Sequence, residues 1–453
     1  MFSKVLVANR GEIAMRVART CRELGIAVVA VHSTEDAGSA VVDYADETIQ
    51  IGPPPAQRSY LNIAAIVEAA LRTGADAIHP GYGFISENAD FAHACEENGL
   101  VFIGPPPETI SRLGDKSAAR ELMSEAGLGM LPGSLRPLST AREAKQIADE
   151  VGYPMIVKAV AGGGGRGMRV VHDPTEFIEA YQETRANAQS LFGDPRVFIE
   201  QYLPTARHVE IQVLTDAHGN AVHLGARDCS IQRRHQKLIE ESPPSGVPDE
   251  LVSQMGELAV HGALAAGYVG AGTFEFLVAP DGSFHFMEVN CRIQVEHPVT
   301  EMVTGIDLVR EQLRIAAGER LSLSQDDIDP RGVAVECRVN AEDPDREFVP
   351  TPGLLNRFAV PSGPFVRVDT HGFPGYKVPA FYDSLLAKVV TWAPDREQAL
   401  DRADRALGEF TIEGPGVRTT SEFIRRVVGD PEFRSATHST ATLGRFLGEI
   451  SNS

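Results

Sequence analysis

A run of glycines is the first segment of the chain whose residue types suggest ligand binding. Residues 162–168 read Gly-Gly-Gly-Gly-Arg-Gly-Met and lie between the strand-like segments 155–159 and 168–171. Glycines expose backbone N–H groups without side chains, which suits a flap that closes over phosphates. A Walker A loop is excluded, because that motif needs Gly-Lys-Ser/Thr leading into a helix. Lys158 would place a point charge on the phosphates; a hairpin tip without a ligand is the alternative.

Two carboxylates are embedded in apolar strands. Glu275 lies within Thr-Phe-Glu-Phe-Leu and Glu288 within Phe-His-Phe-Met-Glu, and Asn290 follows on the same strand face by period two. An ionised carboxylate among such neighbours is costly unless it is paired or bound to a metal. Two carboxylates and an amide oxygen from facing strands suit Mg²⁺. A solvated sheet face is the alternative.

Two polar runs accompany these carboxylates. Arg292, Gln294 and Glu296 alternate, so we expect them on one strand face, where they would form a structural ion pair or bind a small oxyanion beside a base. The charged run 227–237 is, on its own, typical of a solvated loop.

The elements that would position these residues begin with alternating strands and helices. Apolar segments at 5–8, 26–31, 75–78 and 100–103 are separated by helical patterns, which predicts an α/β fold with a parallel, Rossmann-like sheet. The turn after the first strand lacks the G-x-G-x-x-G motif that binds a pyrophosphate, so the sequence gives no support for dinucleotide binding.

The remainder of the chain has mixed α+β character. We expect a hairpin from 274–278 to 284–289 around Pro-Asp-Gly. The predicted units are an N-terminal domain over 1–110, a helical connector over 111–130, a glycine-loop unit over 131–203 and a C-terminal body over 204–453.

Charge and composition exclude several classes of partner. The 453 residues carry a net charge of −20, which argues against nucleic acid or an anionic membrane as partner. Five scattered cysteines without a C-x-x-C pair indicate reduced thiols. Neither a signal peptide nor an apolar run of about 18 residues occurs, so the sequence predicts a soluble, cytoplasmic protein.

Long motifs spread over nearly the whole chain resemble those of biotin carboxylase, the ATP-grasp component of biotin-dependent carboxylases such as acetyl-CoA carboxylase. The motifs occur in family order at 8–14, 79–84, 86–88, 114–116, 162–168, 208–210, 227–237, 292–301 and 336–338. The resemblance implies an ATP-grasp fold with a mobile lid between the N-terminal domain and a large C-terminal domain.

The resemblance also implies a set of ligands. The metal ligands for Mg²⁺ or Mn²⁺ would be Glu275, Glu288 and Asn290, in agreement with the argument from burial. The hinge at residues 200–203 would meet adenine mainly through backbone groups. The residues implied to bind ATP are Lys116, Lys158, Gly163, Gly164, Gly165, Met168, Glu200, Gln201, Tyr202, Leu203, His208, Gln232 and His235.

The implied reaction starts with attack of bicarbonate on the γ-phosphate of ATP to form carboxyphosphate. Glu296 would be the general base, and Arg338 would stabilise the biotin enolate beside Tyr82. The anion would be held by Lys237, Arg292, Gln294 and the backbone of Val295. Three of the seven lysines, Lys116, Lys158 and Lys237, thus fall in anion-binding motifs, although the other 35 basic residues are arginines.

Two positions depart from the family pattern. Gln201 stands where the family usually has Lys, and Cys291 stands where it usually has Thr or Pro. We expect Gln201 to alter affinity little, since the hinge works through its backbone, and hypothesise that Cys291 makes the site sensitive to oxidation.

The sequence also bears on partners. The dipeptide Met-Lys does not occur, so biotin is expected on a separate biotin carboxyl carrier protein or on a longer polypeptide that includes this chain. A carboxyltransferase subunit is the second expected partner, and the family implies a homodimer. The alternatives are another ATP-grasp carboxylate ligase, such as a purine-pathway or carbamoyl-phosphate enzyme, and a nucleotide-binding subunit without turnover.

Overall fold

The computed structural model describes residues 1–138, 140–162 and 166–448. Its first unit is a five-stranded parallel sheet in the order β3-β2-β1-β4-β5. The strands are β1 (Lys4–Val7), β2 (Ala27–Ser33), β3 (Glu47–Gly52), β4 (Ala77–His79) and β5 (Val101–Phe102), and the helices are α1 (Gly11–Glu23), α2 (Ala40–Tyr44), α3 (Ile63–Thr73) and α4 (Ala89–Glu97). The four predicted strands are confirmed to within two residues at each end. The edge strand β3 was missed because only Ile51 of its six residues is buried, so no apolar run marks it.

Two helices, α5 (Pro107–Gly114) and α6 (Lys116–Glu125), lead to a small three-stranded unit. Its antiparallel sheet has the order β7-β6-β8. The elements are α7 (Ala141–Val151), β6 (Met155–Ala159), β7 (Met168–Val171), α8 (Phe177–Phe192) and β8 (Val197–Gln201). Strands β6 and β7 coincide with the predicted segments 155–159 and 168–171. Alternate residues of β6, among them Met155 and Val157, pack with Phe177 of α8 in one apolar cluster.

The largest sheet has eight strands in the order β13-β12-β9-β10-β11-β14-β21-β19, all neighbours being antiparallel. The elements up to β14 are β9 (Arg207–Thr215), β10 (Ala221–Arg233), β11 (Gln236–Ser242), α9 (Asp249–Ala265), β12 (Gly270–Val278), β13 (Phe284–Asn290), α10 (His297–Thr304), α11 (Leu308–Ala316) and β14 (Val333–Asn340). The predicted hairpin is confirmed as β12 and β13. The solvated loop expected at 227–237 is wrong: residues 227–233 belong to β10 and 236–237 to β11, with a two-residue turn between them. Arg227 is wholly buried between Glu210, Gln212 and Thr300.

The C-terminal elements cover the last strands of this sheet. They are β15 (Glu342–Asp343), β16 (Val349–Pro350), β17 (Gly353–Leu354), β18 (Arg357–Ala359), β19 (Val366–Thr370), β20 (Lys377–Val378), β21 (Leu385–Ala393), α12 (Arg396–Glu409), β22 (Thr411–Glu413), α13 (Ser421–Val428), α14 (Pro431–Arg434) and α15 (Thr442–Phe446). Leu400 and Ala403 of α12 pack with Val335 of β14 and Val389 of β21. In the described part of the chain, no helix is long and apolar enough to cross a membrane.

Candidate active site

The centre of the site is a buried lysine that contacts three carboxylates. Lys237 on β11 places Nζ 2.6 Å from Glu210 Oε2, 3.1 Å from Glu275 Oε1 and 2.6 Å from Glu296 Oε1. Burial alone would lower the pKa of this ammonium, but the three carboxylates outweigh it and raise that pKa well above its usual range. Lys237 is therefore a permanent cation at the floor of the cleft.

Glu296 has cations on both carboxylate oxygens. Lys237 lies at Oε1, and Nη2 of Arg338 lies 2.9 Å from Oε2. Burial would raise the pKa of Glu296, but Lys237 and Arg338 overcome it and hold that pKa well below its usual range. Arg338 also contacts Glu240 at 2.6 Å, so one guanidinium bridges two buried carboxylates. Glu296 is consequently an ionised carboxylate at neutral pH.

Arg292, Gln294 and Glu296 do not alternate on a strand, so this part of the prediction is wrong. Strand β13 ends at Asn290, and the chain crosses to α10 in a loop, with Pro298 in the first turn of that helix. The side chains still converge: Arg292 donates to Gln294 Oε1 at 3.0 Å and to Asn290 Oδ1 at 3.1 Å. The loop thus brings a cation and an amide beside the Asn290 oxygen.

The oxygen cluster forms where β12 and β13 face each other. Glu275 and Glu288 are a directly opposed pair in that ladder, and Asn290 donates to Glu275 Oε1 at 2.9 Å. Glu275 is buried, which excludes a solvated face for it, whereas the side chain of Glu288 is 38% exposed. Burial works against ionisation of Glu275, yet Lys237 and His208 lower its pKa well below the usual range. An ionised, buried carboxylate such as Glu275 suits a hard divalent cation.

Two further lysines approach this cluster. Lys116, the first residue of α6, lies 3.1 Å from Glu288 Oε2, and Lys158 of β6 lies 2.6 Å from Glu200 Oε2. Glu200 also pairs with Arg120. Burial and the charges of Lys116 and Arg120 lower the pKa of Lys158 to about 7. The cleft therefore contains several cationic side chains, although the chain as a whole is strongly acidic.

In the predicted hinge at residues 200–203, two backbone N–H groups already form hydrogen bonds within the protein. The N–H of Gln201 donates to Pro132 O at 2.8 Å, and the N–H of Tyr202 donates to Pro154 O at 3.1 Å. Leu203 directly follows these two anchored residues. Met168 starts β7 opposite Lys158. The predicted ligands Gly163, Gly164 and Gly165 lie outside the described residues.

The polar residues of β9 and β10 line the same cleft. His208 Nε2 lies 3.1 Å from Glu275 Oε2, and its Nδ1 lies 3.3 Å from Gln232 Nε2. His235 sits in the tight turn between β10 and β11 with φ of +65°, and its pKa is lowered by burial and by Lys158 and His208. His208, Gln232 and the hairpin turn therefore extend the cluster toward the lysines.

Residue-type reasoning passed over several groups that the structure brings to the site. Glu210 binds both Lys237 and Arg227, and Glu87 accepts a hydrogen bond from Arg292 Nε at 2.8 Å. Glu210 follows His208 at period two, a signal that would have placed it on the same face of β9. Glu87, Arg120 and Glu240 carry no such local signal, because their partners are distant in sequence.

The hypothesis that Cys291 makes the site sensitive to oxidation finds no support in the geometry. The side chain is 3% exposed, and burial together with Glu87 raises the pKa of the thiol well above its usual range. Since the thiolate is the reactive form, Cys291 is an unreactive thiol.

A cleft of clustered lysines and ionised carboxylates, with a small three-stranded unit beside a large antiparallel sheet, is the arrangement of an ATP-grasp ligase. Three sequence families match it: "Biotin carboxylase, N-terminal domain" over residues 1–110, "Carbamoyl-phosphate synthase L chain, ATP binding domain" over 115–324 and "Biotin carboxylase C-terminal domain" over 336–445. The chain therefore belongs to the biotin carboxylase family. This confirms the predicted resemblance, fold class and enzyme class.

Individual relatives agree over the full length. The chain is 51% identical over 440 residues to biotin carboxylase of Nostoc sp., covering 97% of this chain and 98% of that protein. It is 53% identical over 434 residues to the Pseudomonas aeruginosa enzyme, covering 96% of each. These matches support a biotin carboxylase over the alternatives of another carboxylate ligase or a subunit without turnover.

Solved structures of relatives give the same result. The biotin carboxylase domain dimer of Hydrogenobacter thermophilus 2-oxoglutarate carboxylase, in complex with MgADP, ADP and bicarbonate, superposes with a TM-score of 0.94 at 46% identity and covers 100% of both chains. The biotin carboxylase–β,γ-ATP complex from Campylobacter jejuni gives a TM-score of 0.95 at 44% identity over 98% of this chain and 99% of that one.

Proposed function

We propose that this cleft carboxylates biotin on a carrier protein, with ATP and bicarbonate as co-substrates and carboxyphosphate as the intermediate. This would be the first half-reaction of an acyl-CoA carboxylase, such as acetyl-CoA carboxylase. The observation that carries the proposal is Glu296, an ionised and fully buried carboxylate held between Lys237 and Arg338. Glu296 would act as a base between the Lys237 ammonium, which would bind the anion, and the Arg338 guanidinium.

ATP is proposed to lie between the three-stranded lid and the large sheet. Lys116 and Lys158 would contact its phosphates, since Lys116 pairs with Glu288 and Lys158 pairs with Glu200 and lies close enough to feel the charges of Lys116 and Glu288. The adenine end would meet the hinge and the turn of β10 and β11. The further proposed contacts are Gly163, Gly164, Gly165, Met168, Glu200, Gln201, Tyr202, Leu203, His208, Gln232 and His235.

The residues Glu275, Glu288 and Asn290 fit Mg²⁺ or Mn²⁺. Glu275 and Glu288 are opposed at one end of the β12–β13 ladder, and Asn290 contacts Glu275. The ammoniums of Lys237 and Lys116 contact the two carboxylates, so these residues already attract cations. When bound, the metal supplies neutralisation of the charge on the transferred phosphoryl group.

Bicarbonate is proposed to bind beside Glu296. Lys237, Arg292, Gln294 and the Val295 backbone would hold it, and the Glu296 carboxylate would accept its proton as an oxygen attacks the γ-phosphorus and ADP leaves. The resulting carboxyphosphate would break down to CO₂ and phosphate. Enclosure of the intermediate would limit its hydrolysis.

Biotin is proposed to approach from the side of Tyr82. The released phosphate would take the ureido proton, and Arg338 would stabilise the enolate oxygen that develops before the ring nitrogen attacks CO₂. Arg338 is suited to this role because it is already positioned by Glu240 and Glu296.

The domain division and the partners belong to the same proposal. The units 1–110, 111–130, 131–203 and 204–453 would act as N-terminal domain, connector, mobile lid and body. A biotin carboxyl carrier protein and a carboxyltransferase would be the partners, and the relative from Hydrogenobacter, a dimer, supports a homodimer. The five buried, free cysteines support the cytoplasm as the compartment.

The test is ATP cleavage measured with and without bicarbonate and free biotin. We expect cleavage that requires bicarbonate, is stimulated by biotin and is lost in Glu296→Ala and Arg338→Ala. The matched control Glu347→Gln changes an exposed carboxylate that pairs with Arg234, and it should leave the rate unchanged. Cleavage that biotin does not stimulate would contradict the proposal.

A further inference from the structure

One wholly buried lysine outside the proposed contacts touches the loop that carries Glu296. Lys388 of β21 is 0% exposed and donates from Nζ to the carbonyl oxygen of Val295 at 2.8 Å. It lies directly opposite Arg338 in the β14–β21 ladder. Lys388 thus contacts the proposed bicarbonate-binding loop from strand β21.

The same ammonium also reaches the N-terminal domain. Its Nζ lies 3.0 Å from Glu12 Oε1, and Glu12 belongs to the first turn of α1. The hydroxyl of Tyr82 donates to that same carboxylate oxygen. A continuous chain of polar contacts therefore runs from Tyr82 through Glu12 and Lys388 to Val295.

The chemistry of this chain of contacts indicates a specific role for the lysine. Burial of an ammonium is costly, but Glu12, Glu336 and Asp369 compensate and raise the pKa of Lys388, so the residue stays charged. An ammonium has three N–H donors, so it can donate to a carbonyl and to a carboxylate at the same time. The guanidinium of an arginine is larger, and its donors lie in one plane with fixed directions. This site has a lysine in a chain whose basic residues are 35 arginines and only seven lysines.

We propose that Lys388 is a positioning residue that fixes the Val295 carbonyl and, through Glu12, the Tyr82 hydroxyl, so that the bicarbonate loop and the biotin side of the cleft are held in register by one buried ion pair. This inference rests on the proposed function. Lys388 itself touches neither substrate.

The test compares KM values for ATP, bicarbonate and biotin in the full-length protein, using the bicarbonate-dependent ATPase. In Lys388→Met we expect KM for bicarbonate and for biotin each to rise by about tenfold or more, the loss typical of a hydrogen bond from a charged group. KM for ATP should stay within about twofold, because none of the ATP contacts uses this lysine. Lys377→Met, at an exposed lysine paired with Glu35, is the matched control and should change none of the three.

A second variant guards against misfolding of the first. Glu12→Gln keeps the side-chain shape and should raise KM for biotin, while the double variant should be clearly less impaired than the product of the two single effects. MgADP binding by calorimetry confirms that each variant is folded.

A fall in kcat or in active fraction with unchanged KM for bicarbonate and biotin would show a structural role only and overturn the inference. Independent effects in the double variant would also overturn it. If the unaltered protein lacks bicarbonate-dependent, biotin-stimulated ATPase activity, the proposed function fails, and the inference with it.

Discussion

The ammonium of Lys237 lies 2.6 Å from Oε1 of Glu296, and neither side chain is more than 12% exposed. This contact keeps Glu296 ionised but also engages it with a cation. Bicarbonate entering the site would also contact the Lys237 ammonium. The Glu296 carboxylate would then contact the bicarbonate proton as well as the ammonium. In the proposed reaction the pair would therefore combine anion binding with base catalysis at one point.

Removal of the carboxylate should abolish turnover and spare nucleotide binding. Glu296→Gln keeps the shape of the side chain but cannot accept the proton, so kcat should fall by at least about 100-fold, the contribution typical of a general base. MgADP affinity, measured by calorimetry, should remain within about twofold. A Glu296→Gln enzyme that keeps a tenth of its kcat would place the base elsewhere.

The proposed metal site gives a second prediction. Glu288→Gln removes one charged oxygen from the cluster but leaves Glu275 in its contacts with Lys237, His208 and Asn290. The Mg²⁺ concentration for half-maximal ATP cleavage should rise by about tenfold or more, because hard cations depend on the charge of their ligands. The control Glu413→Gln changes an exposed carboxylate that pairs with Arg357, and it should not alter the Mg²⁺ requirement. An unchanged Mg²⁺ requirement in Glu288→Gln would exclude this residue as a ligand.

Local patterns were sufficient for eight of the strands and for the placement of the predicted metal ligands on β12 and β13. Period-two spacing and apolar runs placed Glu275, Glu288 and Asn290 on facing strands, as the structure has them. The same rule failed at residues 292–296, because a loop and the Pro298 turn, rather than a strand, carry those side chains.

Charge density misled the prediction for residues 227–237. Arg227 is buried because Glu210, Gln212 and Thr300 from other elements satisfy its guanidinium, and none of them is adjacent in sequence. Long-range pairing of this kind, which also brings Lys388 to Val295, leaves no periodic signal. Family motifs, rather than residue spacing, pointed to this region.

Nucleotide affinity should depend on pH through Lys158. Its pKa is lowered to about 7 by burial and by Lys116 and Arg120, although Glu200 lies 2.6 Å away. Phosphates favour the charged ammonium and raise its pKa in the complex, so nucleotide binding takes up a proton above pH 7. ADP affinity should thus weaken from pH 7 to pH 8.5, by up to about tenfold per pH unit. Lys158→Arg stays charged throughout and should show a flatter profile by calorimetry; equal pH dependence in both proteins would contradict this assignment.

Buried His371 should make folding sensitive to mild acid. Burial and the nearby charge of Arg10 lower its pKa from 6.5 to about 3, so below pH 6.5 the unfolded chain binds a proton that the folded protein does not. Its contribution is complete above pH 6.5 and is lost at about 1.4 kcal/mol per pH unit as the pH falls toward the folded value. Between pH 7.5 and 5.5, His371→Gln should therefore lose about 1.4 kcal/mol less free energy of unfolding than the unaltered protein, as measured by urea denaturation. His93→Gln, at an exposed histidine, should lose as much as the unaltered protein, and the same loss in His371→Gln would show that this imidazole does not govern the acid response.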